Sequence, residues 1–422
     1  MKSFFSIDQA AALDQADSMS HMRQQFHIPQ VNGEDCLYFT GNSLGLQPKA
    51  VEAALALELH DWKTLGVEGH FHASNPWMPY HEQLTASLAR LVGAKDSEVV
   101  AMGSLTSNLH LLLASFYCPT QQRPLLMCEA KAFPSDRYAL MGQLQWHGLD
   151  ASQLLEVHGD GHEGLPTTDN IIQAIEEQGE QVATLMIGGV NYLTGQVYDM
   201  QAITQAAHAK GILVGFDLAH GIGNASLNLH EWGVDFAAWC SYKYLNSGPG
   251  GVAGIYVHER HHGGERPILA GWWGHDKSTR FSMPTDFSPI QGAEAWQVSN
   301  APILSMASLK ASLSLFDEVD LDELRKKSLA QSQLLMDLLT AVSDDLNEPI
   351  HLITPREDAE RAGQVSVAFL NRDRGFFDQL LAHGIIADWR EPGTIRFAVA
   401  PLYTSYRDLA RLEIALRQAL TS

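Results

Sequence analysis

The sequence has few cysteines and little positive charge, and both shortages narrow what the protein can be. The four cysteines, Cys36, Cys118, Cys128 and Cys240, occur in 422 residues and form no Cys-x-x-Cys pair. They predict buried free thiols in a reducing, cytoplasmic setting rather than a disulfide framework. Lysine and arginine total 28 against 49 acidic residues, so the net charge is −21. A surface this acidic repels nucleic acid and anionic membranes, and we expect neither as a partner.

Several motifs are also absent. No apolar run is long enough to cross a membrane, and the N-terminus lacks the apolar core of a signal peptide. No phosphate-binding Gly-Lys-Ser/Thr loop occurs. His258, His261 and His262 cluster where a strand runs into a glycine turn, which is typical of an exposed loop, so we predict no metal site.

Strands and helices alternate between about residues 98 and 257. Apolar runs predict strands at residues 99–102, 125–128, 182–187 and 212–216, separated by helices. Continuous apolar strands between helices predict an α/β fold whose mostly parallel sheet is covered on both faces. Ligands of such sheets bind outside the carboxyl ends of the strands.

After about residue 300 the pattern changes to a long helical stretch and a smaller α/β unit. This unit has expected strands at residues 365–369, near Ile385 and near Ile395, and a closing helix at residues 406–420. We therefore predict an N-terminal segment (1–45), a large domain (46–305) and a small C-terminal α/β domain (306–422), with a cleft between the two domains.

Lys243 and Asp217 are the most informative residues. Lys243 stands between two tyrosines and precedes the glycine-rich residues 246–251, whereas Asp217 ends a run that predicts a buried strand. A pyridoxal 5'-phosphate (PLP) enzyme needs a lysine for the Schiff base and a carboxylate that keeps the pyridine nitrogen protonated. Taken alone, Lys243 is equally a solvated lysine and Asp217 the end of a strand, but the combination favours the cofactor site.

Two segments at strand ends suit such a cofactor. Residues 103–108 lie between a strand and a helix, where N–H groups and hydroxyls can bind a phosphate. Phe133 follows another strand and suits stacking on the pyridine ring, while residues 134–136 can meet the ring hydroxyl or cap a helix. Each segment by itself is more simply explained as a helix cap.

Three residues in the second half of the chain suit a substrate or a subunit interface. Arg396 alternates with apolar neighbours in an expected strand and suits a bidentate grip on a carboxylate, although an edge-strand arginine facing water is as good an explanation. Trp272 is followed by a second tryptophan, and two adjacent side chains of a strand cannot both point inward. Asn300 offers a side-chain amide in what is otherwise a turn.

In combination these motifs resemble the kynureninase family, PLP-dependent hydrolases of PLP fold type I, the fold of the aspartate aminotransferase superfamily. The matching segments are residues 38–46, 131–136, 215–220, 239–246, 269–275 and 299–303. The resemblance implies that Lys243 is the Schiff-base lysine, Asp217 the pyridinium partner and Tyr242 a proton relay near the reacting carbon. The cofactor-binding residues that it implies are Leu105, Thr106, Phe133, Pro134, Ser135, Asp136, Asp217, His220, Tyr242, Lys243, Trp272 and Asn300.

The resemblance also implies the substrate contacts and the partner subunit. Arg396 would hold the substrate's α-carboxylate, and Ser43 and Asn300 would line the substrate site. Trp272 and Asn300 would reach the site from the partner subunit of a homodimer. One departure is Gly188, where many relatives carry a small hydroxyl residue, and it puts one minor cofactor contact in doubt.

The implied reaction is hydrolytic Cβ–Cγ cleavage of L-kynurenine to anthranilate and L-alanine, or of 3-hydroxykynurenine to 3-hydroxyanthranilate and L-alanine, in tryptophan degradation and NAD biosynthesis. The nearest alternative is a class V aminotransferase or a cysteine desulfurase of the same fold. Those enzymes typically carry histidine before the lysine, where this chain has Tyr242. A desulfurase also needs a nucleophilic cysteine late in the chain, and no cysteine follows Cys240.

Overall fold

The structure, a computed structural model, describes residues 3–263 and 266–421. Within them the α-helices are α1 (Ile7–Ala16), α2 (Ala50–Leu65), α3 (Gly69–His72), α4 (Glu82–Val92), α5 (Leu105–Phe116), α6 (Pro134–Trp146), α7 (Thr168–Gln178), α8 (Met200–Ala209), α9 (Leu229–Trp232), α10 (Ile303–Asp317), α11 (Leu321–Leu346), α12 (Arg374–Ala382) and α13 (Tyr406–Thr421). The strands are β1 (Gln30–Val31), β2 (Glu34–Asp35), β3 (Leu37–Tyr38), β4 (Val99–Ala101), β5 (Leu125–Glu129), β6 (Leu154–Val157), β7 (Val182–Gly188), β8 (Leu213–Asp217), β9 (Phe236–Trp239), β10 (Gly254–Val257), β11 (Ile350–Leu352), β12 (Gln364–Phe369), β13 (Ile385–Ile386), β14 (Asp388–Arg390) and β15 (Thr394–Ala398).

The larger sheet has seven strands in the order β4-β10-β9-β8-β7-β5-β6. Strand β10 is antiparallel to both neighbours, and β9, β8, β7, β5 and β6 pair in parallel. The predicted mostly parallel sheet is therefore confirmed. Because parallel strands end at the same edge, the final residues of β5, β7 and β8 (Glu129, Gly188 and Asp217) come together there.

The smaller sheet is antiparallel, with the order β11-β12-β15-β14. Its core also contains Phe5, Leu37 and Phe39 from the start of the chain. The buried Glu413 in α13 accepts hydrogen bonds from the backbone N–H groups of Phe4 (2.7 Å) and Phe5 (2.8 Å). Part of the N-terminal segment is thus packed into the C-terminal unit, whereas Met19, Met22 and Phe26 pack into the core of the larger sheet.

Some local predictions differ from the structure. The strand expected near Ile385 is present, but it pairs in parallel with β3 instead of joining the smaller sheet. The long helical stretch after residue 300 is two helices, because the Asp320 side chain accepts from the N–H groups of Asp322 and Glu323 and begins α11 anew. The domain boundaries at residues 45 and 305 stay a prediction.

The cysteines are all free, as expected, but one is placed differently from the prediction. Cys36, Cys128 and Cys240 are buried, whereas Cys118 is exposed. Cys118 lies just beyond the end of α5, where the chain has left the core and turns towards β5. Across the described residues, no helix combines the length and the apolar character that crossing a membrane requires.

Candidate active site

A cavity of about 400 Å³ lies between the carboxyl edge of the larger sheet and the smaller sheet. It brings together most of the predicted site residues, namely Ser43, Leu105, Thr106, Phe133, Ser135, Asp136, Asp217, His220, Tyr242, Lys243 and Arg396. These residues come from the N-terminal loop, from the end of β8, from the loops after β8 and β9, from the starts of α5 and α6 and from the interior of β15. Their convergence is the first structural sign of a built site.

Lys243 projects into the middle of this cavity from the loop after β9. Its Nζ lies 3.0 Å from Nε2 of His220 and 5.9 Å from the centre of the Phe133 ring. Burial, followed by the nearby charge of Lys243, holds the pKa of His220 well below its ordinary value. The imidazole is therefore neutral beside the amine.

Three carboxyl groups, which we call the acidic side, line the edge of the larger sheet: Glu129, Asp136 and Asp217. Asp217 Oδ1 accepts from Ala219 N at 2.6 Å, and Glu129 Oε1 accepts from Gly188 N at 3.1 Å. Burial raises the pKa of Glu129 to about 8. Burial and then the charge of Asp217 raise the pKa of Asp136 well above its ordinary value. Glu129 and Asp136 therefore keep their protons at pH values at which exposed carboxyl groups have lost theirs.

The departure at Gly188 lies beside the Glu129 carboxyl. A Cβ atom there would lie 3.3 Å from Glu129 Oε1, which is a tight contact. A side chain at this position would therefore require a small shift of Glu129.

Hydroxyl groups gather at the start of α5 and α6. Thr106 Oγ1 lies 2.7 Å from Ser135 Oγ, and Ser104 Oγ lies 3.0 Å from Ser107 Oγ. Gly103 precedes them with a φ of 55°, which takes the chain from β4 into α5. Backbone N–H groups of a helix start and nearby hydroxyls together form a cradle for an anion.

Phe133 lines the cavity near Lys243. It is 37% exposed and packs edge-on against Tyr192, with ring centres 5.2 Å apart. Pro134 begins α6 at a position that suits proline and does not line the cavity. The open face of Phe133 is available to a planar ligand.

Arg396 and its surroundings form what we call the basic side. It is 1% exposed and lies on β15 between β12 and β14, so an arginine facing water at a sheet edge is excluded. Its Nη2 pairs with Asp388 Oδ2 at 2.6 Å, and its Nη1 donates to Tyr192 O at 2.5 Å. Arg390 Nε lies 3.1 Å from Asp388 Oδ1, and Ser43 Oγ donates to Asp388.

Two predicted residues lie outside the cavity. Trp272 is 41% exposed, with its ring against Phe281, and Asn300 is exposed just before α10. Neither lines the cavity of this chain. Their expected contribution from a partner subunit stays a prediction.

Sequence reasoning missed Glu129, Tyr192, Asp388 and Arg390. Glu129 ends a strand as Asp217 does, so the same argument would have found it. Asp388 and Arg390 are two residues apart on β14 and therefore share a face. Because β14 has only three residues, its alternation is too short to be recognised in the sequence. Tyr192 lies in a loop and contributes its carbonyl, for which the sequence carries no signal.

The clustered histidines have separate partners. His261 Nε2 lies 2.7 Å from Asp235 Oδ1, and His262 Nε2 lies 3.0 Å from Val257 O. His258 lies near Glu98 and His230, but that carboxylate already accepts from backbone N–H groups of Lys95 and Glu259. The three residues 98, 230 and 258 are therefore tied into a hydrogen-bonded network.

The cavity fits PLP. Its anion cradle suits a phosphate, its acidic side suits a protonated ring nitrogen, and Phe133 suits the ring face. Asp136 Oδ1 and His220 Nδ1 are buried and have no hydrogen-bond partner among the described residues, so polar atoms inside the cavity remain to be satisfied.

Comparison with known proteins points to one family. A model of the kynureninase C-terminal domain matches residues 324–416. The chain is 50% identical over 405 residues to a kynureninase of Koribacter versatilis, with 95% of each chain covered. It is 46% identical over 402 residues to a kynureninase of Flavobacterium johnsoniae, with 95% of each covered, and 49% identical over 405 residues to one of Myxococcus xanthus, covering 95% of this chain and 94% of the relative.

Solved structures show the fold. A cysteine desulfurase of Escherichia coli superposes with a TM-score of 0.75 at 18% identity, covering 96% of this chain and 98% of that chain. A mutant of C-DES with glycine covalently linked to its PLP cofactor gives the same score and identity, covering 93% and 98%. The predicted PLP fold type I is therefore confirmed.

Proposed function

The chain belongs to the kynureninase family, and from this premise we propose that the cavity around Lys243 is where L-kynurenine is hydrolysed to anthranilate and L-alanine. The observation that carries the proposal is the meeting of Lys243, Asp217 and Arg396, which are far apart in sequence, in one cavity. Such a cavity offers a lysine for covalent attachment of the cofactor, a carboxylate that keeps the ring nitrogen protonated, and an arginine for the substrate's carboxylate. The same geometry admits 3-hydroxykynurenine as the alternative substrate.

PLP is the cofactor of this family, and when bound it would withdraw electrons from the substrate's α-carbon. Lys243 would hold it covalently and move a proton at the substrate's α-carbon. Asp217 would keep the proton on the ring nitrogen, Phe133 would cover the ring face, and Thr106 and Ser135 would bind the phosphate with the N-terminus of α5.

Arg396 would bind the substrate's α-carboxylate beside Ser43. A guanidinium at a buried position binds a carboxylate with charge-assisted hydrogen bonds and fixes its orientation. This places the carbon to be deprotonated near Lys243, which lines the same cavity.

Tyr242 would transfer protons near the bond that breaks. Burial raises the pKa of its phenol, so the group keeps its proton at neutral pH. Tyr242 can therefore act as a proton donor.

Two measurements test the proposal. Borohydride reduction followed by peptide mapping should place the pyridoxyl label on Lys243; label on another lysine contradicts the assignment. Turnover of L-kynurenine and 3-hydroxykynurenine by the purified protein should release L-alanine, and comparison of the two rates gives the preferred substrate.

A cysteine desulfurase would need a thiol at the site, and no cysteine lines the cavity in the described part of the chain. Cys240 is buried, and burial raises the pKa of its thiol to about 11, so it is a poor nucleophile at neutral pH. No cysteine follows it in the sequence. L-cysteine should accordingly give no sulfide or persulfide product; such a product would favour the alternative.

We also propose that the protein is a homodimer with shared active sites. Trp272 and Asn300 are exposed, and α2 and the residues after it expose Leu59, Trp62 and Val67. Exposed apolar groups of this kind are suited to a subunit interface. If Asn300 acts across it, mixing inactive Lys243→Ala and Asn300→Ala proteins should restore activity; no recovery from a mixed dimer contradicts sharing.

A cytoplasmic location is proposed as well. Its support is four free cysteines, three of them buried as thiols, which a reducing compartment keeps intact. Cell fractionation checks it, and recovery of the protein with a membrane or an extracellular fraction would contradict it.

A further inference from the structure

The basic side of the cavity contains a carboxylate of its own. Asp388 lies directly opposite Arg396 in the pairing of β14 with β15, and its Oδ2 is 2.6 Å from Arg396 Nη2. The position that a substrate carboxylate needs on Arg396 is thus partly taken by a side chain of the same chemical class. Ser43, which also lines the cavity, donates to the same Asp388 oxygen.

Arg390 supplies a second cation to the same carboxylate. It lies two residues from Asp388 on β14, and its Nε is 3.1 Å from Asp388 Oδ1. Arg390 Nη2 also donates to Asp388 Oδ2 at 3.4 Å, so both guanidinium groups contact this one carboxylate. Two arginines around one aspartate leave one positive charge uncompensated, which is the charge that a single incoming carboxylate neutralises.

Arg396 retains one unused donor. Its Nη1 is held by Tyr192 O, whereas its Nε is buried and has no hydrogen-bond partner within the described part of the chain. A bidentate grip through Nε and Nη2 requires Asp388 to give up Nη2. Asp388 can do so without becoming an unpaired buried charge, because Arg390 and Ser43 remain bound to it.

We propose that Asp388 is a positioning residue that occupies Arg396 until the substrate's carboxylate replaces it, and that Arg390 is the counter-ion that receives Asp388 during the exchange. The inference rests on the proposed function, since it concerns the α-carboxylate of that substrate. Asp388 sets the affinity of the site by competing with the substrate, and Arg390 weakens that competition.

The test uses the PLP-bound enzyme and four proteins: the wild type, Asp388→Asn, Arg390→Gln and the double variant. L-alanine is the carboxylate probe, and its Kd is read from the cofactor's absorbance. L-alaninamide, which lacks the carboxylate, is the control ligand. Local charge orders the expected affinities for L-alanine: Asp388→Asn binds about tenfold tighter than the wild type, the double variant binds like the wild type, and Arg390→Gln binds about tenfold weaker. L-alaninamide should bind all four proteins alike.

Matched variants control for the loss of any arginine–aspartate pair. Arg356→Gln and Asp337→Asn break an exposed pair between α11 and the residues after β11, with an N–O distance of 3.2 Å, and both should leave the Kd of L-alanine unchanged. Thermal unfolding of each variant without added amino acid shows whether it is folded.

Two results overturn the inference. Weaker L-alanine binding by a folded Asp388→Asn protein would mean that Asp388 orients Arg396 rather than competing for it. A double variant as weak as Arg390→Gln would mean that Arg390 contacts the substrate directly. Failure of the wild type to hydrolyse L-kynurenine would instead remove the proposed function, and the order of affinities for L-alanine would still be measurable.

Discussion

The two sides of the cavity contain the same kind of residue with opposite protonation behaviour. On the acidic side, burial and the charge of Asp217 raise the pKa of Asp136 well above its ordinary value. On the basic side, burial also raises the pKa of Asp388, but the charge and hydrogen bond of Arg396 outweigh it and leave the pKa below its ordinary value. Burial alone does not decide the charge of a carboxyl group; its neighbours do.

This difference divides the work of the site. The side built from the larger sheet keeps protons next to a cofactor ring, and the side built from the smaller sheet keeps a positive charge for a carboxylate. The two sides lie on different strands, since Asp217 ends β8 and Arg396 lies on β15, but their charges are coupled, because, besides burial, Arg396 and Arg390 also lower the pKa of His220.

Removing Asp217 breaks the acidic side and has the largest expected effect. Asp217→Ala should cost several kcal/mol of transition-state stabilisation, which lowers kcat/KM for L-kynurenine on the order of a thousandfold or more. The reason is that the ring nitrogen loses the carboxylate that keeps it protonated. Steady-state kinetics with a circular dichroism check of folding measures it. Near-normal turnover by a folded variant would contradict the role.

Removing Arg396 breaks the basic side. Arg396→Ala should cost about 2–5 kcal/mol of transition-state stabilisation and lower kcat/KM accordingly, because the charge-assisted hydrogen bonds to the substrate's carboxylate are lost. The variant should still bind PLP. Arg396→Lys should recover only part, since an ammonium cannot reproduce the planar fork. Loss of cofactor with unchanged substrate affinity would instead assign Arg396 to the PLP site or to the fold.

Replacing Glu129 sharpens the comparison through pH. Its folded pKa of about 8 lies above its ordinary value of 4.5, so the folded state keeps a proton that the unfolded state loses. The stability that this adds is fully present below the unfolded pKa and is lost as pH rises towards about 8, on the order of 5 kcal/mol at about 1.4 kcal/mol per pKa unit. Urea unfolding of the cofactor-free protein should show this decline, and Glu129→Gln should flatten it; parallel curves for the two proteins would exclude Glu129 as the cause.

Phe133, which lines the cavity near Lys243, should give the smallest effect. Phe133→Leu keeps an apolar contact but removes the flat ring, so PLP affinity should fall by about 0.5–1.5 kcal/mol. Fluorescence titration of the cofactor-free protein measures this change. An unchanged Kd for PLP would mean that the ring face is covered by another residue.

The acidic side was easier to predict from sequence than the basic side. Asp217, Phe133 and the residues around Thr106 each follow an apolar strand, and a parallel sheet brings such positions together whatever the details of the loops. The role of Asp388 depends on the strand register that places it opposite Arg396. This register is a non-local property, so the residues around Asp388 do not predict it. Tyr192 acts through a backbone carbonyl, which every residue has.

The packing of the N-terminal segment against α13 has a consequence for how the protein is made. On the ribosome, Phe5, Leu37 and Phe39 emerge first, but the strands and helix that bury them are synthesised last. The strands of the larger sheet are complete once the chain has passed Val257, whereas Asp388 and Arg396 are synthesised later. Synthesis therefore yields a larger sheet with its cofactor-side carboxyl groups before any substrate side exists, and the first residues stay exposed until the last helix emerges.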